Sequence, residues 1–108
     1  MDSKGRVVIP SKFRKELQQG CVVTKGLDNC LQILTKKNWN QESEKMASLP
    51  STDKTSRQLR RALFSGAVDS SLDSAGRIQI PENLRAYSAI KENDDVTVTG
   101  SGPVIEIW

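Results

Sequence analysis

The sequence of 108 residues contains no histidine and only two cysteines. Without histidine, the side chain that most readily serves as a general base near neutral pH is missing, and so is the commonest metal ligand. Cys21 and Cys30 match no zinc-ligand spacing, so neither a metal site nor a cofactor is expected. They read as reduced thiols packed as small apolar groups. There is no Gly-x-Ser-x-Gly string and no phosphate-cradling glycine loop, so no catalytic residue is assigned and an enzyme is not expected. No apolar run reaches the roughly 18 residues that read as a spanning helix, and no charged-then-apolar leader opens the chain. A cytoplasmic protein with no membrane partner is expected.

What is present begins with an uneven charge distribution. Residues 1–66 hold 13 basic and 6 acidic side chains, a balance of +7, whereas residues 67–108 hold 3 basic and 7 acidic, a balance of −4. Opposite halves suit a chain that turns one side to a polyanion, or one that packs head to tail on its own copies. Unevenly solvated charge explains the same numbers.

The chain also repeats itself. Asp2-Ser-Lys-Gly-Arg-Val-Val-Ile-Pro10 returns as Asp73-Ser-Ala-Gly-Arg-Ile-Gln-Ile-Pro81 at an offset of 71, with six of nine positions identical. Arg14 falls on Arg85 and Phe13 on Leu84. Further on, 22–34 aligns with 96–108 at an offset of 74, placing Gly26 on Gly100, Leu31 on Ile105 and Ile33 on Ile107, with three extra residues near 86–95. Val7 and Ile9 become Ile78 and Ile80, apolar in both copies, while the intervening Val8 becomes Gln79. That alternation is the signature of strands with one buried face.

The string Asp-Ser-(Lys/Ala)-Gly has turn chemistry: an aspartate that can bond amides two residues on, and a glycine able to take positive φ. Asp2, Gly5, Asp73 and Gly76 are therefore read as turn-forming, in a type I turn with a glycine bulge that joins two antiparallel strands. Short helices are expected after the prolines, over 11–19 and from Glu82 to about Ala89. Each unit reads as strand, turn, strand, helix, strand, turn, strand. The second copy contains all of it, with 67–72 as its first strand; in the first copy only Met1 precedes the turn. Between the copies, one helix is expected over 38–49 with Trp39, Met46 and Leu49 near one face, broken at Pro50. A second is expected, capped from Ser51-Thr52-Asp53, to about Phe64. On it Leu59, Ala62 and Leu63 pack inward, and Lys54, Arg57 and Arg61 line another face with Arg60 beside them.

At the doubled Asp-x-x-Gly-Arg string the chain resembles the swapped-hairpin SpoVT/AbrB-type DNA-binding domains. Two copies around a helical insert, with Leu49-Pro-Ser-Thr-Asp53, Ser65-Gly66-Ala67, Ile80-Pro-Glu-Asn-Leu84 and Ile105-Glu-Ile-Trp108, narrow the resemblance to the MraZ family of bacterial transcription regulators. The resemblance implies an α+β fold, mostly β, of two swapped-hairpin units forming a pseudo-twofold barrel. The units would be 1–35, lacking its first strand, and 67–108, with a helical hairpin at 36–66. It implies a nucleoid-associated regulator of the division and cell-wall gene cluster that binds repeated promoter boxes in double-stranded DNA as a ring-like homo-oligomer. Such proteins usually begin with a strand before the first Asp and continue into a helix after the final Trp, so a chain shortened at both ends is expected.

Lys4, Arg6, Lys12, Arg14 and Arg77 are the expected DNA-binding residues. Arg6 suits a guanine edge or a phosphate, Lys4 a phosphate, while Lys12 and Arg14 on the following helix extend the basic surface. The alternative for Arg6 and Arg77 is an Asp–Arg pair that only closes a turn, and Ala75 in place of Lys4 weakens the second turn as a DNA contact. Two other functions stay open: an engineered scaffold without DNA binding, and an antitoxin-like protein-interaction module.

Overall fold

The computed structural model describes residues 1–48, 52–101 and 104–108, apart from the side chains at 27, 59, 60, 62–64 and 101. The fold is α+β. In chain order, β1 (Arg6–Val8) leads to α1 (Ser11–Leu17), then β2 (Cys21–Lys25), a 3-10 turn at Leu27–Asn29 and β3 (Leu31–Thr35). Two helices follow, α2 (Lys36–Ala47) and α3 (Lys54–Ser65). The second copy supplies β4 (Val68–Ser70), β5 (Arg77–Gln79), α4 (Glu82–Ser88), β6 (Val98–Ser101) and β7 (Val104–Ile107).

The strands form two antiparallel sheets that exchange partners between the copies. One is the ribbon β1–β5; the other has the order β4-β2-β3-β7-β6. In the ribbon, Arg6 faces Gln79, Val7 faces Ile78 and Val8 faces Arg77. It is extended symmetrically by Ile9 N–H to the Gly76 carbonyl and Ile80 N–H to the Gly5 carbonyl, each at 2.9 Å. In the larger sheet β3 meets β7 with Gln32 opposite Glu106. The repeat makes those two residues equivalent, so a pseudo-twofold axis passes between them and again between Val7 and Ile78.

Alternation explains why the sheets close on one another. Val7, Ile9, Ile78 and Ile80 are buried with Leu17, Cys21, Val23, Leu31, Ile33, Leu84, Ile90, Ile105 and Ile107 in one core drawn from both copies. Full burial of each such side chain is worth about 1.5–3 kcal/mol. Neither copy could assemble that core alone. Both cysteines are buried thiols outside any disulfide, and burial pushes the Cys21 thiol up to about 11.

Several expectations need correction. The glycine turns do not join the two strands of a hairpin: β4 pairs with β2 and β5 with β1. Alternation fixes which face of a strand is buried but not its neighbour; each turn closes on one backbone bond, Asp2 N–H to the Arg6 carbonyl or Asp73 N–H to the Arg77 carbonyl, each at 2.9 Å, and the strand beyond it then pairs with the other copy. The expected strand 67–72 is shorter, Val68–Ser70. The helices α1 and α4 end at Leu17 and Ser88, slightly before their expected limits. Gly26 and Gly100 are not structural equivalents. Val23 pairs with Ile33 and Val98 with Ile107, so β6 aligns with β2 at an offset of 75 rather than 74. The second hairpin loop is correspondingly one residue shorter.

The helix α2 starts two residues earlier than expected because Thr35 caps it, accepting from Asn38 N–H at 3.1 Å. Trp39 and Met46 are half-buried on it. Leu49, Pro50 and Ser51 lie outside the described residues, as do the side chains of Leu59, Ala62 and Leu63. On α3, Asp53 Oδ1 accepts from Thr55 N–H and Oδ2 from the Ser56 hydroxyl, and Lys54, Arg57 and Arg61 are exposed. The side chain of Arg60 is outside the described set.

The burial pattern of the ribbon predicts opposite outcomes for neighbouring residues. Ile78→Ala should cost about 2–5 kcal/mol in denaturant unfolding, because the cavity opens on the axis between the copies. Val8→Ala, at a position 57% exposed, should stay within about 0.5 kcal/mol of the parent.

Candidate nucleic-acid interface

The two repeated turns are built alike, atom by atom. Asp2 Oδ1 accepts from the N–H of Lys4 at 2.9 Å and of Arg6 at 2.8 Å, while Oδ2 takes Arg6 Nε–H at 2.8 Å. Asp73 Oδ1 accepts from the N–H of Ala75 and Arg77, and Oδ2 from Arg77 Nε–H, all at 2.9 Å. Gly5 N–H and Gly76 N–H close the turns onto the carbonyls of Asp2 and Asp73, and both glycines sit at φ +74. A side chain there would be strained in the left-handed region.

Three donors on each carboxylate favour its charged form. The backbone bond from Arg6 is the main cause lowering the Asp2 pKa, and the backbone bond from Arg77 does the same for Asp73, against a smaller opposing effect of burial. Arg77 also lies 3.9 Å from Asp2 through a terminal guanidinium nitrogen, which couples the two turns.

Alternation along the ribbon sets what surrounds the turns. With Val7 and Ile78 inward, Arg6 and Val8 of β1 and Arg77 and Gln79 of β5 share the opposite face. Both arginines are half-buried, Val8 and Gln79 are exposed, and Lys4 is exposed in the first turn. Gln79 Nε2 donates to the Lys4 carbonyl at 2.7 Å, bracing that turn from the other copy.

The remaining expected site residues are placed differently. Lys12 is exposed on α1 with its ammonium 5.1 Å from the centre of the Phe13 ring, beside a hollow lined by Leu17, Ile33 and Ile105. Arg14 is half-buried, its Nε–H bonded to the Ile9 carbonyl at 2.7 Å and its guanidinium lying over Gly76. Its equivalent Arg85 lies over Gly5 and pairs with Glu92 at 3.2 Å. Each helix arginine thus covers the turn of the opposite copy. The sequence reading gave Arg85 and Gln79 no role; the repeat itself held the signal for Arg85, because it set Arg85 on Arg14. Among the described residues no cluster of three or more His, Cys, Asp or Glu could hold a metal ion, and no helix is long and apolar enough to cross a membrane.

Two outcomes follow from the turn chemistry. Both carboxyls titrate below the ordinary aspartate value, so their contribution is present above that value and is lost as pH falls through the lower folded one. The melting temperature should therefore decline below about pH 5, and Asp2→Asn with Asp73→Asn should flatten that decline. Gly76→Ala should destabilise by about 1–2 kcal/mol from backbone conformation alone, more if Arg14 cannot move aside.

One family model matches the chain, in two segments covering residues 1–62 and 63–108. It is that of the MraZ protein, described as antitoxin-like. The boundary between the segments falls within α3, so each takes one copy of the Asp-x-x-Gly-Arg turn. With the whole chain matched and the doubled turn present in both sequence and structure, the protein belongs to the MraZ family.

Proposed function

We propose that this chain is a sequence-specific DNA-binding transcriptional regulator that acts on repeated promoter boxes as an assembly of like copies. The observation that carries the reading is the outward face of the β1–β5 ribbon, where Arg6 and Arg77 sit diagonally with Gln79 and Val8. A two-stranded ribbon fits the major groove of B-DNA, and arginine and glutamine are the side chains that best read guanine and adenine there.

The aspartates orient rather than compete. Pairing through Nε holds each guanidinium plane in one attitude, so less rotational freedom is lost when a base or phosphate is engaged. They also cancel charge. Residues 2–6 carry a net +1 and residues 73–77 a net 0, so phosphate attraction falls mainly to the first turn through Lys4. Lys12 adds basic charge on α1, and Arg14 acts by holding the second turn.

A ribbon of this size reaches few phosphates. Tight binding then requires several copies on several boxes, each raising the effective concentration of the next. Boxes in one orientation call for head-to-tail contacts of the kind that close into rings, and the opposite charges of the two halves suit such contacts. The protein would act in the cytoplasm at the nucleoid. The antitoxin-like description of the family supports a second reading, a protein-interaction module, which stable co-purification with one partner protein and no DNA affinity would favour.

The test is binding to a duplex selected from a random pool, across a salt series. Arg6→Ala should weaken specific binding by about 1–3 kcal/mol and relax the preference at one base pair. Lys4→Ala should weaken all sequences alike and reduce the salt slope by about 0.9. Affinity independent of salt, or an Arg6→Ala variant that folds and binds as the parent does, contradicts the reading.

A further inference from the structure

Arg6 and Arg77 give both ends of the ribbon the same side chain, but their neighbours differ. Of the nine repeated positions from Asp2 to Pro10, three change between the copies: Lys4 to Ala75, Val7 to Ile78 and Val8 to Gln79. Val7 and Ile78 are buried, so two differences remain on the outside. Antiparallel pairing sets Gln79 opposite Arg6 and Val8 opposite Arg77. One end therefore collects Lys4, Arg6 and Gln79, and the other Ala75, Arg77 and Val8.

Val8 and Gln79 are equivalent by the repeat, and both are exposed. The exposure belongs to the position, since Gln79 keeps it in the copy that has β4. A solvent-facing valine gives the fold little, but against the 5-methyl of thymine it buries apolar surface on both partners. The Gln79 amide is already oriented: Nε2 donates to the Lys4 carbonyl at 2.7 Å and lies 3.5 Å from the Gly5 carbonyl. Adenine presents N7 and its 6-amino group side by side in the major groove, and a glutamine meets them with one N–H and Oε1. Engaging adenine gives up only the longer contact, and the Gly5 carbonyl keeps the Ile80 N–H at 2.9 Å.

We propose that Val8 and Gln79 are specificity-determining residues that give the DNA box a direction, Gln79 reading an adenine at the Lys4 end and Val8 a thymine methyl at the other. This rests on the reading of the ribbon as a DNA interface. With the axis between Val7 and Ile78 laid on a dyad of the duplex, Arg6 and Arg77 meet equivalent guanines on opposite strands. The positions beside them then hold adenine on one strand and thymine on the other. Written along a single strand, both carry adenine, where a palindrome would carry adenine and thymine. Lys4 adds a phosphate contact at one end only. One copy thus distinguishes the two directions of its box, and copies on repeated boxes of one orientation all face the same way.

The test is selection from a random duplex pool by the parent, Val8→Gln and Gln79→Val, with melting temperatures to confirm that each variant folds. The parent should enrich an asymmetric box of this kind. Val8→Gln should exchange thymine for adenine at its position and so turn the selected box into a palindrome, the Ala75 carbonyl holding the introduced amide as that of Lys4 holds Gln79. Gln79→Val should lose the preference for adenine, a change of about tenfold in a binding titration. A second measurement needs no variant of the box-reading face: uracil in place of the thymine removes the methyl alone. It should weaken the parent about fourfold and leave Val8→Ala unaffected. If the parent and both variants enrich one and the same box, or if uracil costs the parent nothing, the proposal is overturned while the DNA reading stands. A palindrome selected by the parent overturns it as well. A parent that enriches no sequence removes the DNA reading together with the proposal.

Discussion

Everything in this fold depends on a carboxylate that takes three N–H groups at once. Asp2 and Asp73 each bind two backbone amides and one guanidinium Nε, over a glycine that bends the chain through positive φ. The clamp reverses the chain in too few residues for a helix, and it starts β1 and β5 in the one register that buries Val7 against Ile78. It is then sealed from outside its own copy, by Arg85 over Gly5 and Arg14 over Gly76. A turn that is weak alone becomes part of the packing between copies. The same carboxylates hold the outward arginines in a fixed attitude, so the arrangement that shapes each turn also orients its guanidinium group.

Internal symmetry explains the core and also where the symmetry fails. The axis runs between Gln32 and Glu106 and between Val7 and Ile78, so both sheets cross from one copy to the other. Departures collect away from the axis. Copy two has a longer passage from α4 to β6, which turns through left-handed Ala89 and Asn93 and is anchored by buried Ile90. Copy one has the longer hairpin loop, with left-handed Asp28 and Asn29. Length changes are tolerated where the backbone reaches solvent, and the strands facing the axis keep their pairing.

Much of this was legible in the residues. The turn chemistry of Asp-Ser-x-Gly, the inward series Val7, Ile9, Ile78 and Ile80, and the helices after Pro10 and Pro81 are local features, and local physics identifies them. Strand partnership is not local. Nothing between Val68 and Gln79 states that β4 will lie on β2 while β5 lies on β1, because both pairings bury the same faces. The alignment of Gly26 with Gly100 failed for a related reason: a one-residue change in a hairpin loop shifts register without altering the apolar pattern nearby. Arg14 looked like surface charge because α1 is short and basic, and only the sheet exchange brings Gly76 beneath it. The placement of Lys4 and Arg6 on the first turn was legible because that turn is itself written in the sequence.

Among the described residues two surfaces carry clustered basic side chains, the ribbon with Lys4, Arg6 and Arg77, and the exposed face of α3 with Lys54, Arg57 and Arg61. The clamped ribbon offers oriented guanidinium groups, whereas α3 offers charge alone. Amide and side-chain NMR of the chain titrated with duplex DNA separates them directly. The account predicts that the resonances of residues 4–8 and 77–79, including the Arg6 and Arg77 Nε–H signals, shift first and most strongly. Shifts confined to α3, with both Nε–H signals unmoved at saturation, would contradict it.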